Sequence, residues 1–354
     1  MKFCIYLFRN VQFCNVIMRK MKIVFTVCSN NYLSQAKVLG DSLLEYNPDY
    51  RFFICLCDKK NRQVDYKLYD SFEIVEVENL MIENFEWMIK QYDVVELNTA
   101  VKPFFFQYLI QQYPDVDTVM YFDPDIRIFN SLSPIEKELE PENILLTPHI
   151  LSPIPVDGKK PQESVFLNYG IYNLGFLAVR PTKESIKMLE WWSAKLAIQC
   201  FDKTSEGIFV DQLPMNYVPI FYKGVKVSHN PGFNFAYWNF HERKVSKKDN
   251  TYFINEDYPL VFFHFSNFKP QYPINITSKQ DRFTLEENTV LYTLFLEYAQ
   301  MLLKGNYNEL IHLPVYYRIT KILNKLKAKN IFSRMKKKNR IKLKEYNESI
   351  SHYY

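Results

Sequence analysis

The amino-acid sequence predicts an α/β protein with a mixed, mostly parallel sheet flanked by helices. Three observations predict it. Short β-branched and aromatic runs alternate with helix-length amphipathic segments through the first half of the chain, the pattern of strands joined by crossover helices. The first apolar run, 22–28, passes through Ser29-Asn30-Asn31 into a helical pattern. The run Thr118-Val119-Met120-Tyr121-Phe122 ends in Asp123-Pro124-Asp125, where the proline must stop a strand because it has no N–H to give the ladder. The chain has 354 residues, 47% hydrophobic and 23% charged, enough for one large domain with additions or two small ones.

Taken in order, 22–28 is a strand and Ser29-Asn30-Asn31 are turn and helix-cap residues. A helix follows over 32–46, with Leu33, Ala36, Leu39 and Leu43 on one face and Asn47-Pro48 as its stop. Strands are expected at 51–57 and 72–77, then a mixed loop-and-helix region over 92–112, then the strand 118–122. Beyond Asn130 the expected elements are strands at 144–147 and 175–179 and a helix at 183–198 bearing Trp191 and Trp192. A proline-rich loop spans 148–161, and a helical segment at 209–216 carries Asp211 and Gln212. A late strand at 261–265 and a helix at 287–304 complete the list.

The domain organisation follows. Residues 1–20 form an extension or precede the working start at Met21. Arg9 and Asn10 interrupt their apolar residues, which makes them a poor spanning helix and a poor signal peptide. Residues 21–285 form the main domain, and 286–354 a helical, basic C-terminal segment. From Arg318 to Lys344 the chain has twelve Lys or Arg and no Asp or Glu, so the net +5 comes from this tail and the body is about −7. Ile319, Ile322, Leu323, Leu326 and Ile331 among the charges suit an amphipathic helix on an anionic membrane surface; a solvated or disordered end is the alternative. Nucleic acid is excluded as a partner, because the body is acidic and has no binding motif.

Cys28, Cys55 and Cys57 lie in apolar strands, and Cys4, Cys14 and Cys200 complete no zinc set with them. The cysteines therefore read as reduced, buried thiols of a cytoplasmic protein. Aromatics make up 17% of the chain, with 26 Tyr and 29 Phe. They suit a surface that packs on sugar rings, or simply a biased composition.

Asp123 and Asp125 are presented together at the carboxyl end of a strand, where open α/β sheets bind ligands. Two carboxylates this close repel each other, and a divalent cation with oxygen ligands keeps both ionised. A plain Asp-Pro-Asp turn is the alternative.

The pair resembles the Asp-X-Asp motif of glycosyltransferases of the GT-A fold, a Rossmann-like α/β architecture. Three further segments are similar to glycosyltransferase family 8, the glycogenin and lipopolysaccharide galactosyltransferase group. Phe25-Thr26-Val27-Cys28-Ser29-Asn30-Asn31-Tyr32 resembles the family's opening, which implies Cys28, Asn30 and Tyr32 in a nucleotide pocket. Asn173-Leu174-Gly175 resembles its Asn-Ser-Gly segment, implying that Asn173 bonds donor-sugar hydroxyls and that Gly175 lets backbone approach the sugar. Asp211-Gln212 resembles the pair beside the reacting sugar carbon. His264-Phe265-Ser266-Asn267-Phe268-Lys269-Pro270 resembles the His-X-X-Gly-X-X-Lys-Pro segment, with Asn267 at the Gly position and Lys269 one residue early. It implies His264 as third metal ligand and Lys269 on the diphosphate; a core histidine is the alternative. The segments 229–234 and 237–243 have no family counterpart and are assigned to the acceptor side or a lid.

The resemblance implies a metal-dependent, retaining hexosyltransferase. Mn²⁺ or Mg²⁺ would be held by Asp123, Asp125 and His264. The donor would be a nucleotide-sugar, UDP-linked by analogy with the family, bound also by Lys102. The acceptor would be a glycan or lipid-linked saccharide in surface polysaccharide synthesis at the inner membrane face. Asp211 as an inverting base is the stereochemical alternative. A non-catalytic carbohydrate- or nucleotide-binding protein on a degenerate core is the functional one. A sugar-1-phosphate nucleotidyltransferase ranks last, because Ser29-Asn30-Asn31-Tyr32 contains no glycine.

Overall fold

The computed structural model describes residues 20–286 and 289–318; most of the 1–20 extension and all but the first residue of the basic stretch 318–344 lie outside them. In chain order the strands are β1 Met21–Cys28, β2 Arg51–Leu56, β3 Glu73–Glu76, β4 Val116–Phe122, β5 Ile126–Ile128, β6 Ile144–Leu146 and β7 Phe176–Val179. After them come β8 Asp202–Lys203, β9 Ile208–Phe209, β10 Val225–Val227, β11 Val245–Lys248, β12 Thr251–Ile254, β13 Tyr258–Pro259 and β14 Phe262–His264. The helices used below are α1 Leu33–Tyr46, α2 Phe85–Gln91, α3 Val94–Gln112, α4 Ser133–Leu139, α5 Glu163–Tyr169, α6 Lys183–Gln199, α7 Val218–Phe221, α8 Val290–Lys304 and α9 Tyr307–Leu310.

The central sheet has seven strands in the order β10-β6-β7-β4-β1-β2-β3. All neighbours are parallel except where β7 meets β4 and β6. β1 lies inside the sheet and is covered on both faces, which is why it reads as a continuous apolar run. Ile23, Phe25 and Val27 face the core that includes α3 and α6. Val24 and Cys28 face the core built on α1.

The reversal of β7 organises the site. Phe176, its first residue, pairs with Phe122, the last of β4. The loop leading into β7 therefore lies at the carboxyl ends of β4 and β1, and the Asp123 amide donates to the Gly175 carbonyl at 2.8 Å. A second device is the antiparallel ribbon of β5 with β14. Its register places His264 opposite Ile126, and the Phe265 amide donates to the Asp125 carbonyl at 2.9 Å. Residues far apart in sequence thus converge just beyond β4.

Two segments differ from expectation. The region 92–112 is not a mixture of loop and helix, because α3 runs 19 residues straight through Pro103. A reciprocal Asp93–Glu96 capping box starts it. Burial of Val101, Phe105 and Phe106 against the sheet outweighs an interior proline, which costs about 3 kcal/mol. The segment 209–216 is not an α-helix either. β9 ends at Phe209, Val210 takes a positive φ of 31°, and a 3₁₀ turn occupies Leu213–Tyr217. Asp211 and Gln212 therefore sit in a turn, where their side chains diverge.

The aromatic excess is largely interior. Phe263, Phe265, Phe268, Phe295 and Tyr298 form one continuous cluster, with Phe265 stacked on Tyr298 at 3.9 Å. This cluster seats α8 beside β14, and Ser34 Oγ of α1 donates to the Leu302 carbonyl at 2.8 Å. Cys28, Cys55, Cys57 and Cys200 are free and buried.

Candidate active site

At the carboxyl ends of β1 and β4 a cavity of about 270 Å³ opens between α3 and the loop after β14. Cys28, Ser29, Asn31, Tyr32, Asn98, Lys102, Tyr121, Asp123, Asp125 and Asn267 are among its walls, most of them polar.

Asp123 and Asp125 line it, and buried His264 meets them there, with ligand atoms of the three that all lie within 4.8 Å of one another. His264 Nε2 is 3.0 Å from Asp125 Oδ1 and 3.7 Å from Asp123 Oδ2. Burial pushes the imidazole down, but the carboxylates of Asp125 and Asp123 outweigh it and hold His264 above its ordinary value. Two carboxylates and one imidazole form a donor set of hard and borderline ligands that suits Mn²⁺ or Mg²⁺. The Nδ1 atom of His264 faces Asn173 Oδ1 at 3.2 Å, which leaves Nε2 for the cation. The residues fit the ion.

Lys102 lies deeper. Its ammonium is 2.8 Å from Asp211 Oδ2, 3.3 Å from Asp123 Oδ1 and 3.0 Å from the Leu174 carbonyl. Burial would lower its pKa, but Asp123 and Asp211 raise it above the usual lysine value. Burial also lifts Asp123, yet Lys102, His264 and the donating Tyr121 hydroxyl hold it below the usual carboxylate range. Burial wins at Asp211, which stays above that range despite Lys102. The Lys102 charge is thus shared between two carboxylates, and its place is beside Asp123, holding it.

Gln212 is held at both ends of its amide. Oε1 accepts from Leu174 N at 3.0 Å and Nε2 donates to the Tyr169 carbonyl at 2.8 Å. The backbone of Asp211 is fixed by Trp192 Nε1, which donates to its carbonyl at 3.0 Å.

Other expected site residues fall differently. Asn30 is turned away from the cavity. Its Nδ2 donates to Asp58 and to the Lys59 carbonyl, both at 2.8 Å, and its Oδ1 accepts from Tyr66. Asn31 takes its place on the wall, with a buried Oδ1 that has no hydrogen-bond partner among the described residues. Cys28 lines the cavity, but burial pushes its thiol well up, so it contributes shape. Tyr32 sits at the rim, 41% exposed. Lys269 lines a smaller adjoining cavity of about 210 Å³ that shares Tyr32, Asp125 and Asn267. The space at Gly175 is taken by the His264 ring, so its missing side chain makes room for that imidazole. Asn173, 7% exposed, has its amide engaged by His264, His149 and, at 3.5 Å, Gln212 Oε1.

The segments 229–234 and 237–243 are mostly a wall. Asn239 Nδ2 donates to the carbonyls of His149 and Asn234, and buried Arg243 donates to those of Phe233 and Pro231. His229 alone of their polar groups lines the open groove formed by Pro148, Phe166, Leu167 and Tyr172. The residues that sequence reasoning missed are Asn31, Asn98 and His149. A single Asn or His outside a motif gives no signal of this kind.

No family model matches the chain. It is 29% identical to the uncharacterized protein YfnF of Bacillus subtilis (strain 168) over 245 residues, 69% of this chain and 80% of that one. It is 26% identical to the uncharacterized protein YfnD of the same organism over 258 residues, 69% and 76% of the two chains. Among solved structures it is similar to the galactosyltransferase LgtC in complex with donor and acceptor sugar analogues. That likeness has a TM-score of 0.46 at 18% identity and covers 79% of this chain and 95% of that one. It is also similar to the glycosyltransferase GlyE of Streptococcus pneumoniae TIGR4, with a TM-score of 0.44 at 14% identity, covering 82% and 64%. Among the described residues no helix is long and apolar enough to cross a membrane.

Proposed function

We propose that this protein is a metal-dependent, retaining glycosyltransferase of the GT-A type, moving a hexose from a UDP-sugar to a glycan or lipid-linked acceptor. The observation that carries the reading is the meeting of buried His264 with Asp123 and Asp125, which line one cavity, and the contact of Asp123 with the Lys102–Asp211 pair. Asn31, Tyr32 and Asn98 line the side where a nucleoside would lie. Mn²⁺ or Mg²⁺ held by the trio would neutralise charge growing on the leaving diphosphate. Lys102 keeps Asp123 ionised and aimed, and Lys269 at the adjoining cavity adds positive charge on the phosphate side.

Retention is favoured by the state of Asp211. It is 2% exposed, paired with Lys102 at 2.8 Å, and unavailable to an acceptor hydroxyl. An inverting enzyme needs a free carboxylate base facing the acceptor. With none at that position, the leaving phosphate takes the acceptor proton on the face it departs from. Asp211 and Gln212 fix the floor under the reacting carbon. The basic stretch 318–344 would hold the enzyme at the cytoplasmic face of an anionic membrane, a place suited to surface polysaccharide synthesis.

The test is nucleotide release from a panel of nucleotide-sugars, with and without Mn²⁺, by the protein and by Asp125→Ala. Metal-dependent release from one donor, lost in the variant, supports the transferase. Metal-dependent nucleotide binding without release from any donor or transfer to any acceptor would leave a binding protein on this fold.

A further inference from the structure

His264 is not the end of its hydrogen-bonded chain. Asn173 Oδ1 lies 3.2 Å from His264 Nδ1, and Asn173 Nδ2 lies 3.3 Å from His149 Nε2. His149 Nδ1 in turn lies 3.2 Å from the Ile171 carbonyl. Directions follow from chemistry. A carbonyl only accepts, so His149 Nδ1 carries the hydrogen and its Nε2 is a bare acceptor. The amide of Asn173 must therefore point its NH₂ at His149, with Gln212 Oε1 a longer second acceptor at 3.5 Å, and its oxygen at His264. That oxygen calls for an N–H on His264 Nδ1, which leaves His264 Nε2 to face Asp123 and Asp125.

The alternative orientation fails at once. A His149 protonated on both nitrogens would set a donor against the Asn173 NH₂. The amide would turn over, present NH₂ to His264 Nδ1, and demand the tautomer whose hydrogen sits on Nε2, where the cation belongs. His149 is built to stay neutral. It is 6% exposed, stacked on Phe166 at 4.8 Å and met edge-on by Trp238 at 5.2 Å. Burial holds its pKa down to about 4. Trp238 also packs edge-on against His264 at 5.2 Å, so one indole braces both rings.

We propose that His149 is a positioning residue for the divalent-cation site: it fixes the amide of Asn173, which fixes the tautomer and ring orientation of His264. The inference rests on reading Asp123, Asp125 and His264 as cation ligands. Partners that orient a metal-ligating histidine through its far nitrogen tune the site without touching the ion.

The experiment is Mn²⁺ titration of the full chain, followed by the electron paramagnetic resonance of free Mn²⁺, on wild type, His149→Phe and His149→Gln. Phenylalanine keeps a ring between Phe166 and Trp238 but removes the acceptor. Glutamine restores an acceptor oxygen. The expected result is Mn²⁺ affinity at least about tenfold weaker in His149→Phe and within about threefold of wild type in His149→Gln. Equal affinity in wild type and His149→Phe would overturn the inference, as would equal weakening in both variants, which would reduce His149 to packing. Wild type that binds no Mn²⁺ would instead sink the cation site itself. A second measurement needs no variant: the ¹H–¹⁵N correlations of the imidazoles at pH 6 should show His149 as the neutral Nδ1–H tautomer. An Nε2–H tautomer there contradicts the chain.

Discussion

A β-carbon on Gly175 would sit 2.5 Å from Cε1 of His264 and 2.7 Å from its Nδ1. Contacts this short force one group aside, and the group that can move is the imidazole. Gly175→Ala should therefore displace His264 while β7 and β4 keep their pairing. We expect Mn²⁺ affinity to fall by about tenfold or more with a loss of stability of about 1–3 kcal/mol. Calorimetric Mn²⁺ titration and urea unfolding check the two halves separately. Unchanged Mn²⁺ binding in the folded variant would show that His264 is no ligand.

Lys102 joins Asp123 and Asp211 in a nearly water-free position. Removing one partner of such a group leaves charge buried without compensation. Lys102→Met should destabilise the fold by about 3–5 kcal/mol. Adding Asp211→Asn should recover part of that loss, because one stranded carboxylate is gone. Denaturant unfolding of both variants gives the answer, and additive losses would show that the pair is not coupled.

Adjacent asparagines should behave in opposite ways. Asn30 ties Asp58, the Lys59 carbonyl and Tyr66 together, whereas Asn31 faces the cavity with a free carbonyl. Asn30→Ala should cost about 1–3 kcal/mol of stability. Asn31→Ala should weaken nucleotide binding by about 1 kcal/mol, or five- to tenfold, and leave unfolding nearly unchanged. Fluorescence titration with nucleoside diphosphates, set beside melting curves, distinguishes them.

The coming together of Asp123, Asp125 and His264 was legible in the sequence, and the reason is local. Asp123, Pro124 and Asp125 follow an apolar run directly, so chain order alone places them at a strand end. His264 has the same advantage at the end of β14. What was not legible depends on rotation or on distance. Asn30 and Asn31 differ by one step around a 3₁₀ turn, and composition does not say which one faces the cavity. The roles of Asn173 and Gly175 depend on β7 running antiparallel to β4, which no short pattern encodes. The Lys102–Asp211 pair joins a helix that runs through a proline to a turn expected as helix. Tertiary burial overrode the local signal at both places.

His149 also makes stability depend on pH. Its folded pKa, about 4, lies below the ordinary value of 6.5. The unfolded chain therefore binds the proton first as pH falls, and the fold loses stability between about 6.5 and 4. Linkage puts the full loss near 3 kcal/mol. Above pH 6.5 the group is neutral in both states and the effect vanishes. Unfolding free energies at pH 7.5 and pH 4.5 should differ less in His149→Phe than in wild type. Equal differences would show that His149 is not held neutral.

The most direct test of metal-dependent nucleotide binding at Asp123, Asp125 and His264 is a calorimetric titration of UDP into the protein with Mn²⁺ and with chelator, repeated on Asp125→Ala and His264→Ala. UDP binding is expected to depend on Mn²⁺ and to be lost or weakened by about tenfold or more in both variants. Equally tight UDP binding in chelator, or Mn²⁺-dependent binding that survives both substitutions, would contradict it. Asp123-Pro124-Asp125 would then be only a turn at the end of β4.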